Sequence, residues 1–158
     1  MRTIIAATAV LLLASCGLQK EQLKPAVTKD EAGRQVLAYD AEIRQALLGS
    51  GQSAAPPGEL SPLECEATDI PGPKGRVELS VRAVVASGRP EGNPAVFAAF
   101  ERKVRELGFE PRRQEPGVRV FERPADRYVA ELTESGDVTR TLRLTVASPC
   151  VWPNGTPG

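Results

Sequence analysis

Histidine is absent from this chain of 158 residues. Its absence excludes Ser-His-Asp and Cys-His activation of a nucleophile, as well as His-ligated zinc and iron sites. It also removes the side chain that most often transfers protons near neutral pH. The sequence contains no Gly-rich phosphate loop, no Cys-x-x-Cys pair and no calcium-loop pattern. We therefore predict no metal and no cofactor, and we do not expect an enzyme.

An excess of charge of either sign is also missing. Twenty basic residues balance twenty acidic ones. Binding of nucleic acid usually needs a clustered basic excess, so we predict no nucleic-acid partner. The length fits one domain, and the sequence shows no internal repeat.

The amino-terminal segment has the layout of an export signal. Arg2 is followed by the apolar run 4–13, which is too short to span a bilayer about 30 Å thick as a helix. The run ends in Leu13-Ala14-Ser15-Cys16, which resembles the lipobox of bacterial lipoproteins. The resemblance implies cleavage before Cys16 and a diacylglycerol on its sulfur, which would hold the protein at the extracytoplasmic face of the cell membrane. The alternative is an ordinary signal peptide that releases a soluble protein.

The chain divides into four parts. We predict a signal peptide over 1–15, a lipidated polar tether over 16–27, a single domain over 28–152 and a flexible tail over 153–158. Acylation of Cys16 would leave Cys65 and Cys150 as one pair. Export places that pair in an oxidising compartment, so we expect a disulfide between them, the alternative being two buried free thiols.

The first half of the domain predicts one helix. Thr28 and Glu31 have the spacing of a capping box. An apolar stripe at helical spacing follows, comprising Ala32, Val36, Tyr39, Ile43 and Leu47. Gly49 ends the helix, and residues 49–63, rich in Gly, Ser and Pro, predict a loop.

The second half predicts strand, helix and three strands. A strand alternates from Arg76 to Val85, and Asn93 and Pro94 then begin a helix that ends at Gly108. Three further strands are predicted over 118–123, 128–133 and 138–146. The fold class is therefore α+β in the order α-β-α-β-β-β, with two helices on one face of a four-stranded antiparallel or mixed sheet.

The carboxyl-terminal motif Ser148-Pro149-Cys150-Val151-Trp152-Pro153 resembles that of small envelope lipoproteins of unknown function from high-GC Gram-positive bacteria. This resemblance implies a fold and a location, and it implies no activity.

The open face of the sheet is the candidate binding surface. Alternation assigns to it Arg82, Arg119, Phe121, Arg123, Thr139, Thr141, Arg143 and Thr145, with Glu78 and Glu131 among them. Guanidinium groups suit phosphates and carboxylates, and hydroxyls add hydrogen bonds. An envelope protein or an anionic envelope ligand would fit such a face. The alternative is an ordinary solvated face, on which Thr and Arg are common.

These observations favour a membrane-tethered, non-enzymatic interaction module of the cell envelope. Two alternatives remain at this point. One is a carrier of small ligands with a pocket between the helices and the sheet or under the 49–63 loop. The other is a histidine-free hydrolase that uses two carboxylates, although no pair is marked by its surroundings.

Overall fold

The computed structural model describes residues 27–48, 58–65, 75–86 and 90–156. The signal segment, Cys16 and most of the 49–63 loop lie outside these ranges. Two helices and six strands follow one another along the chain: α1 Lys29–Leu48, β1 Leu60–Glu64, β2 Val77–Ala86, α2 Asn93–Glu106, β3 Glu110–Glu115, β4 Val118–Glu122, β5 Val129–Glu134 and β6 Leu142–Ala147. The α+β class is confirmed, and the sheet is antiparallel throughout.

Helix α1 begins with the predicted capping box. The Thr28 backbone N–H donates to Glu31 Oε2 at 2.9 Å, and the Glu31 N–H donates to Thr28 Oγ1 at 3.3 Å. These two bonds satisfy donors that the first helical turn leaves unpaired. All five residues of the predicted stripe are buried. The local signals of this helix are therefore confirmed.

Helix α2 ends as predicted but begins differently. Gly108 adopts φ +82°, and the N–H groups of Gly108 and Phe109 donate to the carbonyls of Arg105 and Val104. This is a Schellman motif, in which a glycine takes the left-handed conformation. At the other end, Asn93 makes no capping hydrogen bond, and its side chain binds β5 and the turn between β5 and β6 instead.

The sheet has six strands in the order β1-β2-β6-β5-β4-β3, so the prediction of four strands was wrong. The two missed strands, β1 and β3, lie at the two edges. All their residues are exposed, and β3 carries no aliphatic side chain besides its proline. An edge strand without a buried face has no hydrophobic alternation, which was the signal used to find strands.

Strand β1 presents a proline to the free edge of the sheet. Leu79, the register partner of Pro62, uses both its backbone N–H and its carbonyl toward Ser148 on the β6 side. Pro62 therefore directs its backbone away from β2. Because proline has no N–H, the free edge lacks a donor at this position, which is a common protection against pairing with another chain.

The helices pack on one face of the sheet. Helix α1 lies mainly over β2 and β6, while α2 lies over β4 and β5. The core is formed by both helix stripes and by alternate residues of the central strands, among them Leu79, Val81, Ala130, Leu132, Leu144 and Val146. In β2, β5 and β6 the inward residues are those that the alternation predicts.

A disulfide joins Cys65, which follows β1, to Cys150, which follows β6. The predicted pair is thus confirmed. At the same end of the sheet, Val77 and Val151 exchange backbone hydrogen bonds of 2.9 Å, and the Lys29 N–H donates to Pro153 O at 3.2 Å. The start of α1, the disulfide and the carboxyl-terminal segment therefore lie together at one end of the domain.

Strand β6 starts at Leu142 and not at Val138. Asp137 Oδ1 accepts hydrogen bonds from the backbone N–H groups of Thr139 and Arg140, at 3.0 and 3.2 Å. These contacts hold a turn, in which Arg140 adopts φ +45° and Val138 is 95% exposed. The hydrogen bonds between the short side chain of Asp137 and the backbone of its own turn compete here with strand pairing.

Candidate functional site on the open sheet face

The sheet face opposite the helices carries a row of polar side chains across its central strands. Register pairs Arg82 of β2 with Thr145 of β6, and Thr145 with Glu131 of β5. Arg143 lies one row further along, between Val84 and Thr133. Neighbouring strands are about 4.8 Å apart, so these side chains border a common surface.

A groove of about 350 Å³ occupies this part of the face. It is lined by Glu78, Arg82, Val129, Glu131, Thr133, Arg143, Thr145 and Ala147. We call it the central groove. A second concavity, of about 470 Å³, lies beside β1 and shares Arg82 with the central groove.

Arg82 and Arg143 make no ion pair or side-chain hydrogen bond within the part of the chain that the structure describes. Within the same part, Glu78 and Glu131 also lack an ion pair. Among the described residues, the central groove therefore contains two guanidinium groups and two carboxylates that make no ion pair, although Glu78 interacts electrostatically with Arg82, and Glu131 with Arg113.

The neighbouring part of the same face is different, because it contains several paired charges. Glu122 of β4 is only 8% exposed and binds both Arg112 and Arg127. On β3, Arg113 binds Glu115 in a bidentate pair with distances of 2.6 and 2.7 Å. The groups available to a ligand are thus concentrated on β2, β6 and β5.

Burial raises the pKa of Glu78, and the nearby Arg82 guanidinium offsets part of that effect. Partial desolvation strengthens the interaction of a carboxylate with a cation, because water screens it less. Glu78 lies four residues before Arg82 on the same strand face. The two groups therefore place opposite charges along β2 at the border of the central groove.

Arg119 lies on the helix side of the sheet, so its predicted position on the open face was wrong. Its Nε donates to Glu101 Oε1 of α2 at 2.6 Å, and its guanidinium lies 5.2 Å from the centre of the Phe97 ring. The long side chain leaves the sheet near its edge, so the charged group reaches the surface beside α2.

Phe121 and Arg123 also face the helices, contrary to prediction. Phe121 is fully buried and packs edge-on against Phe100, with ring centres 5.8 Å apart. Arg123 donates to Leu107 O at 3.1 Å and to Tyr39 Oη at 2.8 Å. Both alternating sets of side chains in β4 contain apolar residues, so the alternation does not decide which set faces the helices. The ring of Phe121 occupies the space under α2. The valines at 118 and 120 face the open side instead.

The two threonines at 139 and 141 belong to the β5–β6 turn and not to the strand face. Thr139 Oγ1 donates to Asp137 Oδ1 at 2.5 Å and lies 2.9 Å from Thr141 Oγ1. Thr133, which was not among the predicted residues, lines the central groove instead. The alternation of β5 was sufficient to find it, since Ala130 and Leu132 point inward.

The space between the helices and the sheet is occupied by side chains in the described part of the chain. Phe100, Phe121, Leu132, Leu142 and Leu144 are each fully buried there. Tyr39 also packs edge-on against Phe109 at 5.2 Å between ring centres. The grooves reported above open on the outer surface, so they do not support a carrier pocket between helices and sheet.

Comparison of this chain with protein-family models, with curated proteins and with solved structures found no match. The site is therefore argued from its own geometry. Neither of the two described helices is both long enough and apolar enough to cross a membrane. Within the described ranges, no cluster of three or more Cys, Asp or Glu side chains is arranged to hold a metal ion.

Proposed function

We propose that this protein is a lipid-anchored, non-enzymatic binding module of the bacterial cell envelope, and that its central groove binds an anionic group of an envelope ligand. The observation that carries the binding role is the pair Arg82 and Arg143, two exposed guanidinium groups on adjacent strands that make no ion pair or side-chain hydrogen bond with the described residues. The anchor is supported by the lipobox resemblance at Cys16.

The chemistry of the groove fits binding of a phosphate or a carboxylate. Arginine presents a planar fork of donors that matches these groups, and its hydrogen bonds to them are charge-assisted. Thr145 adds a hydroxyl donor on the same surface. The groove is open to solvent, which suits a terminal group of a larger molecule better than a fully enclosed small ligand.

The position at which the amino-terminal segment joins the domain agrees with a tethered module. Cys16 and Val27 are eleven positions apart in the sequence, which allows at most about 40 Å of extended chain. The described chain starts beside the disulfide end of the sheet, where Lys29 is bonded to Pro153. A lipid on Cys16 would therefore tether the domain at that end.

The anchor is tested by expressing the chain in bacteria and comparing it with Cys16→Ala. We expect the unchanged chain in the membrane fraction, with the mass of a diacylglyceryl-modified Cys16, and we expect Cys16→Ala to lose both the modification and membrane retention. Recovery of the unchanged chain as an unmodified soluble protein would contradict the anchor.

The binding role is tested with the lipidated protein in a non-ionic detergent. Inorganic pyrophosphate and succinate are titrated while the Nε–H signals of the arginines are followed by NMR. We expect both probes to shift the signals of Arg82 and Arg143. In the double variant Arg82→Gln/Arg143→Gln, binding measured by calorimetry should weaken by about tenfold or more, because two charge-assisted contacts are lost.

Arg102→Gln is the matched control, since Arg102 is an exposed arginine of α2 on the other side of the molecule. Equal weakening in the control and in the double variant would indicate a nonspecific charge effect and would contradict the site. Absence of shifts at Arg82 and Arg143 with both probes would contradict anion binding in this groove.

A further inference from the structure

The central groove has two carboxylates as well as two guanidinium groups. Glu78 and Glu131 line it together with Arg82 and Arg143, so its formal charge sums to zero. A ligand with only negative charge would approach two uncompensated carboxylates. A ligand with both charges would meet a partner for each of them.

The register places these opposite charges at neighbouring positions of one groove. Glu131 and Arg82 lie in the same row of the sheet, on the two strands that flank β6. Their Cα atoms are therefore about 10 Å apart. Glu131 and Arg143 are diagonal neighbours on adjacent strands, about 7 to 8 Å apart at Cα. The side chains at these positions line the same groove, so one ligand can contact both kinds of charge.

The four charged groups of the groove differ from several charges elsewhere in the described chain, which are paired. Glu122, Glu115, Glu134 and Glu101 each bind an arginine elsewhere in the described chain. Arg82 and Glu78 share one strand face, yet the structure holds no ion pair between them within the described residues. Both kinds of charge therefore remain available to one ligand.

We infer that the ligand group bound in the central groove is zwitterionic and carries a primary ammonium beside its phosphate or carboxylate. Arg82 and Arg143 bind the anion, and Glu131 with Glu78 binds the ammonium. This inference rests on the proposed function, since it specifies the ligand class of the same groove. The shared chemistry is that of ethanolamine phosphate and of an amino acid.

The experiment uses probe pairs that differ only in the ammonium group. Phosphoethanolamine is compared with ethyl phosphate, and β-alanine is compared with propionate, by calorimetry and by the arginine Nε–H signals of the lipidated protein in detergent. We expect the ammonium-bearing member of at least one pair to bind about tenfold more tightly than its partner. The pair that shows the larger difference identifies the anion as phosphate or carboxylate.

Glu131→Gln and Glu78→Gln are the decisive variants. We expect each to reduce the preference for the ammonium-bearing probe while ethyl phosphate binds at least as tightly as before. Glu110→Gln is the matched control, because Glu110 is an exposed glutamate of β3 outside the groove. Thermal unfolding of each variant confirms that it is folded.

The outcomes separate this inference from the proposed function. If ethyl phosphate and propionate bind as tightly as the zwitterionic probes, the zwitterion is excluded and the anion site stands. If the preference survives in both glutamate variants, the assigned ammonium contacts are wrong. If none of the four probes shifts Arg82 or Arg143, the inference and the proposed function both fail.

Discussion

Asn93, the first residue of α2, donates its side-chain amide to Glu134 Oε1 at 2.5 Å and to Arg140 O at 2.7 Å. The residue is 2% exposed, so both bonds are protected from water. Arg140 Nη2 binds the other oxygen of Glu134 at 2.7 Å. The start of the helix is thereby joined to the hairpin between β5 and β6. This arrangement differs from the capping role that the sequence suggests.

Substitution of Asn93 distinguishes the two roles. Asp is as good as Asn at a helix start, so a cap would tolerate Asn93→Asp. In the observed network, Asp would instead place a second carboxylate against Glu134. We expect Asn93→Asp to lower the free energy of unfolding by about 2 kcal/mol or more near neutral pH, measured by urea denaturation.

The pH dependence provides the control for this variant. Although burial raises it, hydrogen bonds from Arg140 and Asn93 lower the pKa of Glu134 below its ordinary value. Glu134 therefore stabilises the fold above about pH 4.5, and this contribution is lost as the pH falls through the lowered pKa. The loss in free energy of unfolding caused by Asn93→Asp should therefore become smaller in acid. Asn93→Ala introduces no carboxylate, so its loss should not include this repulsion. An Asn93→Asp protein as stable as the parent would contradict the network.

Removal of the disulfide should destabilise the domain strongly. Cys65 and Cys150 are 85 residues apart, and the chain-entropy model assigns roughly 4 kcal/mol to closing so long a loop. We expect the Cys65→Ser/Cys150→Ser variant to unfold at a lower urea concentration, and a reductant to have no further effect on it. The unchanged protein should shift toward the variant in the reductant. Free thiols at both positions in the native, unreduced protein would contradict this.

Alkaline pH should weaken the fold through the tyrosines. Burial, with smaller contributions from Asp126 and Tyr39, raises the pKa of Tyr128 to about 12. The fold favours the neutral phenol, so its stabilisation is fully present below the unfolded-state pKa of about 10. It is lost as the pH rises toward 12, by at most about 3 kcal/mol. Urea denaturation across this pH range measures the loss.

Tyr128→Phe is the matched comparison, because phenylalanine keeps the ring and cannot ionise. We expect a smaller loss of stability between about pH 10 and pH 12 in this variant. Some dependence should remain, since burial and Asp126 also raise the pKa of Tyr39. Ionisation of both tyrosines near pH 10 in the folded protein, seen by ultraviolet absorbance, would contradict the prediction.

Substitution of Pro62 should expose an edge for self-association. Pro62→Val restores a backbone N–H on the free side of β1 and adds a residue that favours strands. Leu63 beside it is already 62% exposed. We expect concentration-dependent dimers or larger species of Pro62→Val in sedimentation experiments. Ser61→Val is the control, because residue 61 directs its backbone toward β2. A monomeric Pro62→Val at high concentration would show that the edge is protected by other means.

Local signals predicted the helices well because they depend on neighbouring residues. Thr28 and Glu31 form their capping box without help from the sheet, and Gly108 is the residue that the left-handed helix end needs. The strands β2, β5 and β6 were also found, since only one of their faces is apolar. The edge strands were missed because their residues pair with a neighbour without burying a face.

The candidate site was predicted only in part. Arg82 and Arg143 occupy the open face as expected, whereas Arg119, Phe121 and Arg123 do not. The phase of β4, meaning which alternate side chains face the helices, was ambiguous. A shift of the alternation by one residue places Phe121 and its two neighbouring arginines on the helix side instead of the valines. Packing of Phe121 against Phe100 decided the phase, and that contact joins residues far apart in the chain.

The sequence by itself determined the α+β class, both helices and the pair of cysteines in the disulfide, because each depends on short-range spacing or on a small number of candidates. The lipid anchor at Cys16 remains its prediction. Only the tertiary structure decided the six-stranded order, the orientation of β4 and the choice of charges that remain unpaired. These properties depend on which strands become neighbours, since a charged side chain is free or paired according to what the fold places beside it.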